Sequence, residues 1–196
     1  MPINDELLIV NENDEIIGYG EKMEIHKKRM LHRAFSIFIY DYRENRLLLQ
    51  KRADSKYHSG GLWSNACCSH PRKNELISDS LSIRLKEELG LLRTFDVKNL
   101  DYLNCFNQSD DTILYCGKFL YRADFTELSE HEWDHVYLYI PKNDITMDLN
   151  INKEEASEIK WVKIDYLEKW LNEFPDDFSS WFLEAYKIVY QAFNRL

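Results

Sequence analysis

Residues able to do chemistry gather in two stretches of this chain. Trp63–Pro71 reads WSNACCSHP, which sets two thiols, Cys67 and Cys68, close ahead of the imidazole of His70, and a helical run ending KEELG follows. Further on, Glu130 and Glu132 stand two residues apart, shortly before the apolar run VYLYI. If that run extends back through them as a strand, both carboxylates point to one face. A thiol and a carboxylate in one pocket are a pair of acid–base groups. A free thiol titrates near pH ~8.5, so a tuning environment is expected around any working cysteine. In the helical run, Arg84 and Glu88 lie four apart and share a face. They suit an anion and the cation that accompanies it, or, more plainly, a surface ion pair.

His131–His135 spells H-E-x-x-H, a zinc-protease signature whose chemistry needs a helix. Continuation into VYLYI and Pro141 reads as strand, so this match is taken as accidental.

The helix ending KEELG resembles a Nudix box, in which a glycine, a glutamate and an R-E-x-x-E-E-x-G run wrap a metal–diphosphate. Glu75, Glu87, Glu88 and Gly90 match that pattern. Ser69 replaces the first glycine, and Ile83 and Arg84 stand where Arg and Glu would be. Such substitutions keep a fold signal and argue against the usual hydrolysis. The plain alternative is an amphipathic helix with a solvated acidic face. Taken with GYGEKMEIHKKRMLHRAFS from Gly18 to Ser36, WSNACCSHP resembles the type I isopentenyl-diphosphate isomerases, a divergent Nudix branch. The resemblance runs from about Gly18 to Trp181.

The resemblance implies a site in detail. His26, His32, His70, Glu130 and Glu132 would bind a divalent ion, and three imidazoles with two carboxylates suit Mn2+ or Zn2+. Cys68 and Glu132 would be the proton-transfer pair, with Cys68 chosen over Cys67 by the spacing Cys-x-His-Pro. Tyr121 would hydrogen-bond the acidic partner, and Trp181, expected in the last helix, would face a carbocation. Lys22, Arg52, Lys56 and Arg84 would bind the diphosphate, and Glu88 would hold a bridging Mg2+. The implied reaction interconverts isopentenyl and dimethylallyl diphosphates. Two alternatives stay open: a Nudix hydrolase acting on a nucleoside diphosphate-linked substrate, and a non-catalytic, metal-stabilised binding protein.

Elements must position these residues. Leu7–Val10 and Ile16–Tyr19 read as a hairpin, and Ala34–Tyr40, Leu47–Gln50, Leu114–Tyr121, Val136–Ile140 and Ile159–Val162 as strands. Ile77, Leu81, Leu85 and Leu89 mark a helix with Gly90 at its C-cap. A second helix is expected from about Asp177 to Asn194. The expected class is α+β: a single-domain Nudix-type α/β/α sandwich on a mixed sheet. Its core would span about 30–170, with the N-terminal segment as a lid.

Composition sets the outer limits. The chain has 196 residues, enough for one domain with a sizeable core. A formal net charge of −9 argues against general nucleic-acid binding, so cations for a diphosphate must be gathered locally. No signal peptide or membrane span is read, so a cytoplasmic protein without a membrane partner is expected. Cys67, Cys68, Cys105 and Cys116 are expected as free thiols. The partner would be a small allylic or homoallylic diphosphate, and the protein a monomer or weak homodimer.

Overall fold

The computed structural model describes residues 6–101, 112–125, 128–193 and 195. Cys105, expected as a free thiol, lies outside them, as does Asn194. Cys67, Cys68 and Cys116 are free. No helix among the described residues is long and apolar enough to cross a membrane.

The N-terminal hairpin forms as expected from strands β1 (Glu6–Val10) and β2 (Ile16–Glu21), paired antiparallel. Its turn places Asp14 at φ 63, in the left-handed region that Asp tolerates better than most residues. Helix α1 (Lys22–Lys27) follows at once. At six residues it is too short to show a hydrophobic period, and the sequence reading missed it. It starts because the Glu21 side chain accepts the amides of Met23 and Glu24 at 2.9 and 3.0 Å.

Eight further strands complete one sheet among the described residues: β3 (His32–Asp41), β4 (Arg46–Arg52), β5 (Trp63–Ser64), β6 (Cys67–Ser69), β7 (Asp96–Asn99), β8 (Thr112–Asp124), β9 (Ser129–Tyr139) and β10 (Ala156–Lys163). The spine runs β10-β4-β3-β9-β8-β7. The sheet is mixed, as expected: β3 and β9 run parallel, with His32 opposite Glu132, whereas β8 and β9 are antiparallel. β6 lies against β3, with Cys68 opposite Ser36.

Helices cover both faces. Helix α2 (Ile77–Leu89) presses Leu81, Leu85 and Leu89 onto Ile37, Ile39, Tyr137 and Tyr139. It ends at Gly90, φ 71, as read from sequence. A side chain there would also meet the Asn150 carbonyl oxygen at 2.8 Å. Each of the three leucines is fully buried, worth roughly 1.5–3 kcal/mol of transfer free energy. The opposite face carries α3 (Ile164–Glu173) and α4 (Phe182–Phe193), which pack Leu167, Leu171, Phe182, Ala185 and Val189 against Phe38, Tyr40, Val136 and Leu138. The α/β/α layering therefore matches expectation.

Two helix expectations need correction. Helix α3 was not read, although Ile164, Leu167 and Leu171 are its buried stripe. Helix α4 starts at Phe182 and not near Asp177, because a 3-10 turn at Pro175–Asp177 intervenes and Phe178 is extended. The N-terminal segment also joins the sheet, since β1 pairs with β3 at Ile9 and His32.

The alternation of the two central strands decides where chemistry can sit. Phe38 and Tyr40 of β3 and Val136 and Leu138 of β9 face α4. Counting back in twos, His32 and Ser36 on β3, and Glu130, Glu132 and Asp134 on β9, point the same way. Polar side chains thus continue the apolar stripe on the same face of the sheet.

Candidate active site

All five expected metal ligands meet. Ligand atoms of His26, His32, His70, Glu130 and Glu132 lie within 4.8 Å of one another. Four elements supply them: α1, β3, the segment after β6, and β9. The imidazole rings crowd together with centroids 4.7, 5.0 and 5.3 Å apart.

Two of these rings have settled tautomers. His26 Nδ1 donates to the Lys22 carbonyl at 2.6 Å, and His32 Nδ1 donates to the Met30 carbonyl at 2.9 Å. Each therefore turns a bare Nε2 inward, the arrangement that outer hydrogen bonds give a metal-binding histidine. Burial holds His32 down to about 4, helped by His26 beside it. Burial likewise keeps His70 well below the usual imidazole range.

The inward atoms fit a cation. His26 Nε2, His32 Nε2 and Glu130 Oε2 are buried without a hydrogen-bond partner, a costly state for polar atoms. His26 Nε2 and Glu130 Oε2 nevertheless face each other at 3.2 Å. Glu132 Oε1 sits 2.8 Å from His70 Nε2 and 3.3 Å from His32 Nε2. Three ring nitrogens and two carboxylate oxygens gathered this closely suit a divalent ion with mixed N/O ligands. Burial and the Glu130 charge push Glu132 well above the usual carboxylate range. Burial acts the same way on Glu130, but the neighbouring Glu132, His26 and His58 outweigh it and hold Glu130 below that range.

Beside this cluster lies a cavity of about 300 Å³ lined by Cys68, Arg52, Glu132, Glu88 and Trp181. It brings the expected proton-transfer pair into one space. Arg52 Nη1 donates to Cys68 Sγ at 3.5 Å. Burial pushes the Cys68 thiol up to about 12 even so, with Arg52 working against it. Arg52 also stacks 5.1 Å above the Trp181 ring. Trp181 lies in the turn just before α4, not within the helix as expected, because Ser179 is pinned to Trp63 by a 2.8 Å backbone bond. Trp181 Nε1 donates to Asn65 Oδ1 at 3.1 Å, which fixes the indole plane.

The expected diphosphate residues line the same cavity: Lys22, Arg52, Lys56 and Arg84. Lys56 is paired with Glu155 and Arg84 with Glu87. Glu88 is buried and accepts from Gln50 Nε2 at 3.3 Å. Burial and the nearby Glu155 raise it to about 7. Glu75, the other box glutamate, accepts from Ser80 and the Arg72 amide and so braces the start of α2. Tyr121 stands opposite Glu132 in register, but its hydroxyl bonds Ser180 Oγ at 2.6 Å and not the carboxylate expected. The turn before α4 comes close enough to take the hydroxyl first.

The H-E-x-x-H histidines are indeed on strand β9 and do not join the ligands. His135 Nε2 meets Asp14 at 2.8 Å on the other face. Sequence reading passed over His58, Asn65 and Asp134. His58 follows Lys56 by two positions, and Asp134 continues the Glu130–Glu132 alternation. Only the second is a signal that the sequence offers. Asp134 accepts from Ser36 Oγ at 2.8 Å.

Comparison with known proteins agrees with this geometry. The NUDIX domain family model matches residues 30–182. The chain is 44% identical over 184 residues to isopentenyl-diphosphate Delta-isomerase 1 of Aromatoleum aromaticum, covering 93% of this chain and 90% of that protein. It is 38% identical to the isopentenyl-diphosphate Delta-isomerase of Aliivibrio fischeri strain MJ11, covering 95% and 96%. Among solved structures it resembles DR0079 of Deinococcus radiodurans, with TM-score 0.59 and 16% identity over 86% of this chain and 90% of that one. It also resembles a MutT protein of Methanosarcina mazei, with TM-score 0.54 and 15% identity over 80% and 91%. At such identities the last two speak for the fold alone.

Proposed function

From the premise that this chain belongs to the isopentenyl-diphosphate Delta-isomerases of the NUDIX family, we propose how its cavity interconverts isopentenyl and dimethylallyl diphosphates. The observation that carries the reading is the meeting of Cys68, Glu132, Arg52 and Trp181 in one cavity beside the His–Glu cluster.

The reaction moves a double bond without changing the diphosphate. One group gives a proton to the terminal alkene carbon, which leaves a tertiary cation on its neighbour. A second group takes a proton from the next carbon, and the new double bond forms there. Cys68 and Glu132 are assigned these two roles. Burial keeps the Cys68 thiol protonated at neutral pH. Trp181, held edge and plane by Asn65 and Arg52, offers its π face to the transient cation. Water must stay out, or the cation would end as an alcohol. Each turnover leaves the donor bare and the acceptor protonated, so both reset by exchange with solvent.

A divalent ion held by His26, His32, His70, Glu130 and Glu132, read as Mn2+ or Zn2+, would supply the positive charge that ionises and fixes Glu132. Glu88 would hold a Mg2+ that neutralises the diphosphate charge. Lys22, Arg52, Lys56 and Arg84 are assigned to the phosphate oxygens. Arg84 and Lys56 would exchange Glu87 and Glu155 for the substrate. Tyr121 is kept as a neighbour of Glu132, with its hydroxyl held by Ser180. The rest of the reading is one domain, a monomer or weak homodimer in the cytoplasm, with a small diphosphate and neither nucleic acid nor membrane as partner.

Proton NMR of the purified protein with isopentenyl diphosphate and Mg2+ tests the activity. Dimethylallyl diphosphate should appear with no release of phosphate. Phosphate release without isomerisation would support a NUDIX hydrolase in its place.

A further inference from the structure

His58 has no role in the assignment above, yet it touches the metal cluster and the substrate cavity at once. It is buried on the loop between β4 and β5. Its Nε2 lies 2.6 Å from Glu130 Oε1. The other Glu130 oxygen, Oε2, is the one that faces His26 Nε2 at 3.2 Å without a hydrogen-bond partner. The two oxygens of one carboxylate are thus divided between two tasks.

The tautomer follows from the neighbours. An ionised carboxylate only accepts, so the 2.6 Å contact needs a proton on His58 Nε2. Nδ1 then accepts from the Ser59 hydroxyl at 3.3 Å. The ring is clamped on its faces and edges as well. It stacks on Phe125 with centroids 4.8 Å apart and 17° between planes, and stands edge-on to Trp181 at 5.7 Å. Arg52 holds the backbone through the His58 carbonyl at 3.4 Å.

We propose that His58 is a positioning residue that engages one oxygen of Glu130 so that only the other is presented to the ion. Free to rotate, this carboxylate could chelate the ion with both oxygens or swing toward the neighbouring Tyr57. Held from behind, it would give a single oxygen in a fixed direction. The same ring forms part of the wall against Trp181, so the ion's geometry is tied to the wall that shapes the hydrocarbon end of the cavity. This rests on the metal reading above, and the test separates the two.

The experiment is Mn2+ titration of the apo protein by calorimetry, without substrate, on wild type, His58→Phe and His58→Gln. Phenylalanine keeps the ring stack and removes the donor. Glutamine places an amide N–H at the same distance from Cβ and keeps the donor. His58→Phe should bind Mn2+ roughly 10–100-fold more weakly, the usual effect of losing such an outer partner. His58→Gln should recover most of that loss. In a Glu130→Gln background, His58→Phe should weaken binding no further. If His58→Phe gives no soluble protein, His58→Asn, whose shorter amide falls short of Glu130, takes its place and should show the same weakening. Unchanged Mn2+ affinity in the Phe or Asn variant overturns the proposal while leaving the metal site standing. A fourth imidazole nitrogen in the pulsed-EPR spectrum of the Mn2+ protein would also overturn it, by putting His58 on the ion. Failure of the wild type to take up Mn2+ overturns the metal reading and this proposal together.

Discussion

Cys67 and Cys68 are neighbours in the chain that face opposite sides of strand β6. Cys67 is sealed under α2 with Leu81 and Leu85, and Cys68 opens into the cavity beside Arg52. In D2O, wild-type protein should place deuterium on the terminal carbon that receives the proton and, through the reverse reaction, on the carbon that gives one up. Cys68→Ala should reduce that exchange by roughly 10²–10⁴-fold, the range for losing a general acid–base group. Cys67→Ala should retain it and lose about 1 kcal/mol of stability, as an ordinary core truncation. Equal loss of exchange in the two variants would remove Cys68 from its role.

Trp181 is fixed at its nitrogen by Asn65 and lies 5.1 Å from the Arg52 guanidinium carbon. An electron-rich ring facing a desolvated cation is worth about 2 kcal/mol. Trp181→Phe should keep part of that attraction and Trp181→Ala none, so kcat should fall in the order Trp, Phe, Ala. Substrate affinity should change much less, because the ground state carries no carbocation. A loss confined to KM, with kcat untouched, would mean that the indole is only a wall.

Asp14 ties the N-terminal hairpin to the sheet by accepting from Arg33 at 2.8 Å, Lys118 at 2.7 Å and His135 at 2.8 Å. Burial alone would raise its pKa, but Lys118, His135 and Arg33 outweigh it and hold the group below its ordinary 3.8. A folded pKa below the unfolded one stabilises the fold above the unfolded value. That contribution disappears as pH falls through the folded value. Asp14→Asn should therefore cost about 2 kcal/mol at neutral pH, the scale of a charged hydrogen bond. The gap to wild type in urea unfolding should close below about pH 4. A gap of the same size at pH ~7 and ~3 would contradict this assignment of the clamp.

Much of the site was legible because strand geometry is strict. Glu130 and Glu132 share a face for the simple reason that side chains alternate, and the Gly90 cap followed from its backbone freedom. His26 of α1 and His32 of β3 were singled out through motif resemblance, since no local period marks a six-residue helix. Short β5 and β6 escaped because their pairing is decided by distant partners in β3 and β4. The start of α4 was misplaced because Pro175 and the extended Phe178 reset the chain before the helix. His58 escaped notice since only the folded loop brings it to Glu130, and Tyr121 changed partner because Ser180 arrives from another element.

The parallel pairing of His32 with Glu132 bears on how the protein is made. Ribosomes deliver His26, His32 and His70 long before the strand that carries the two glutamates. A nascent chain that stops short of β9 holds three imidazoles but neither carboxylate, and its sheet lacks a central strand. An ion held by all five would therefore wait for that long-range closure, and would be gained with the assembled sheet and not before it.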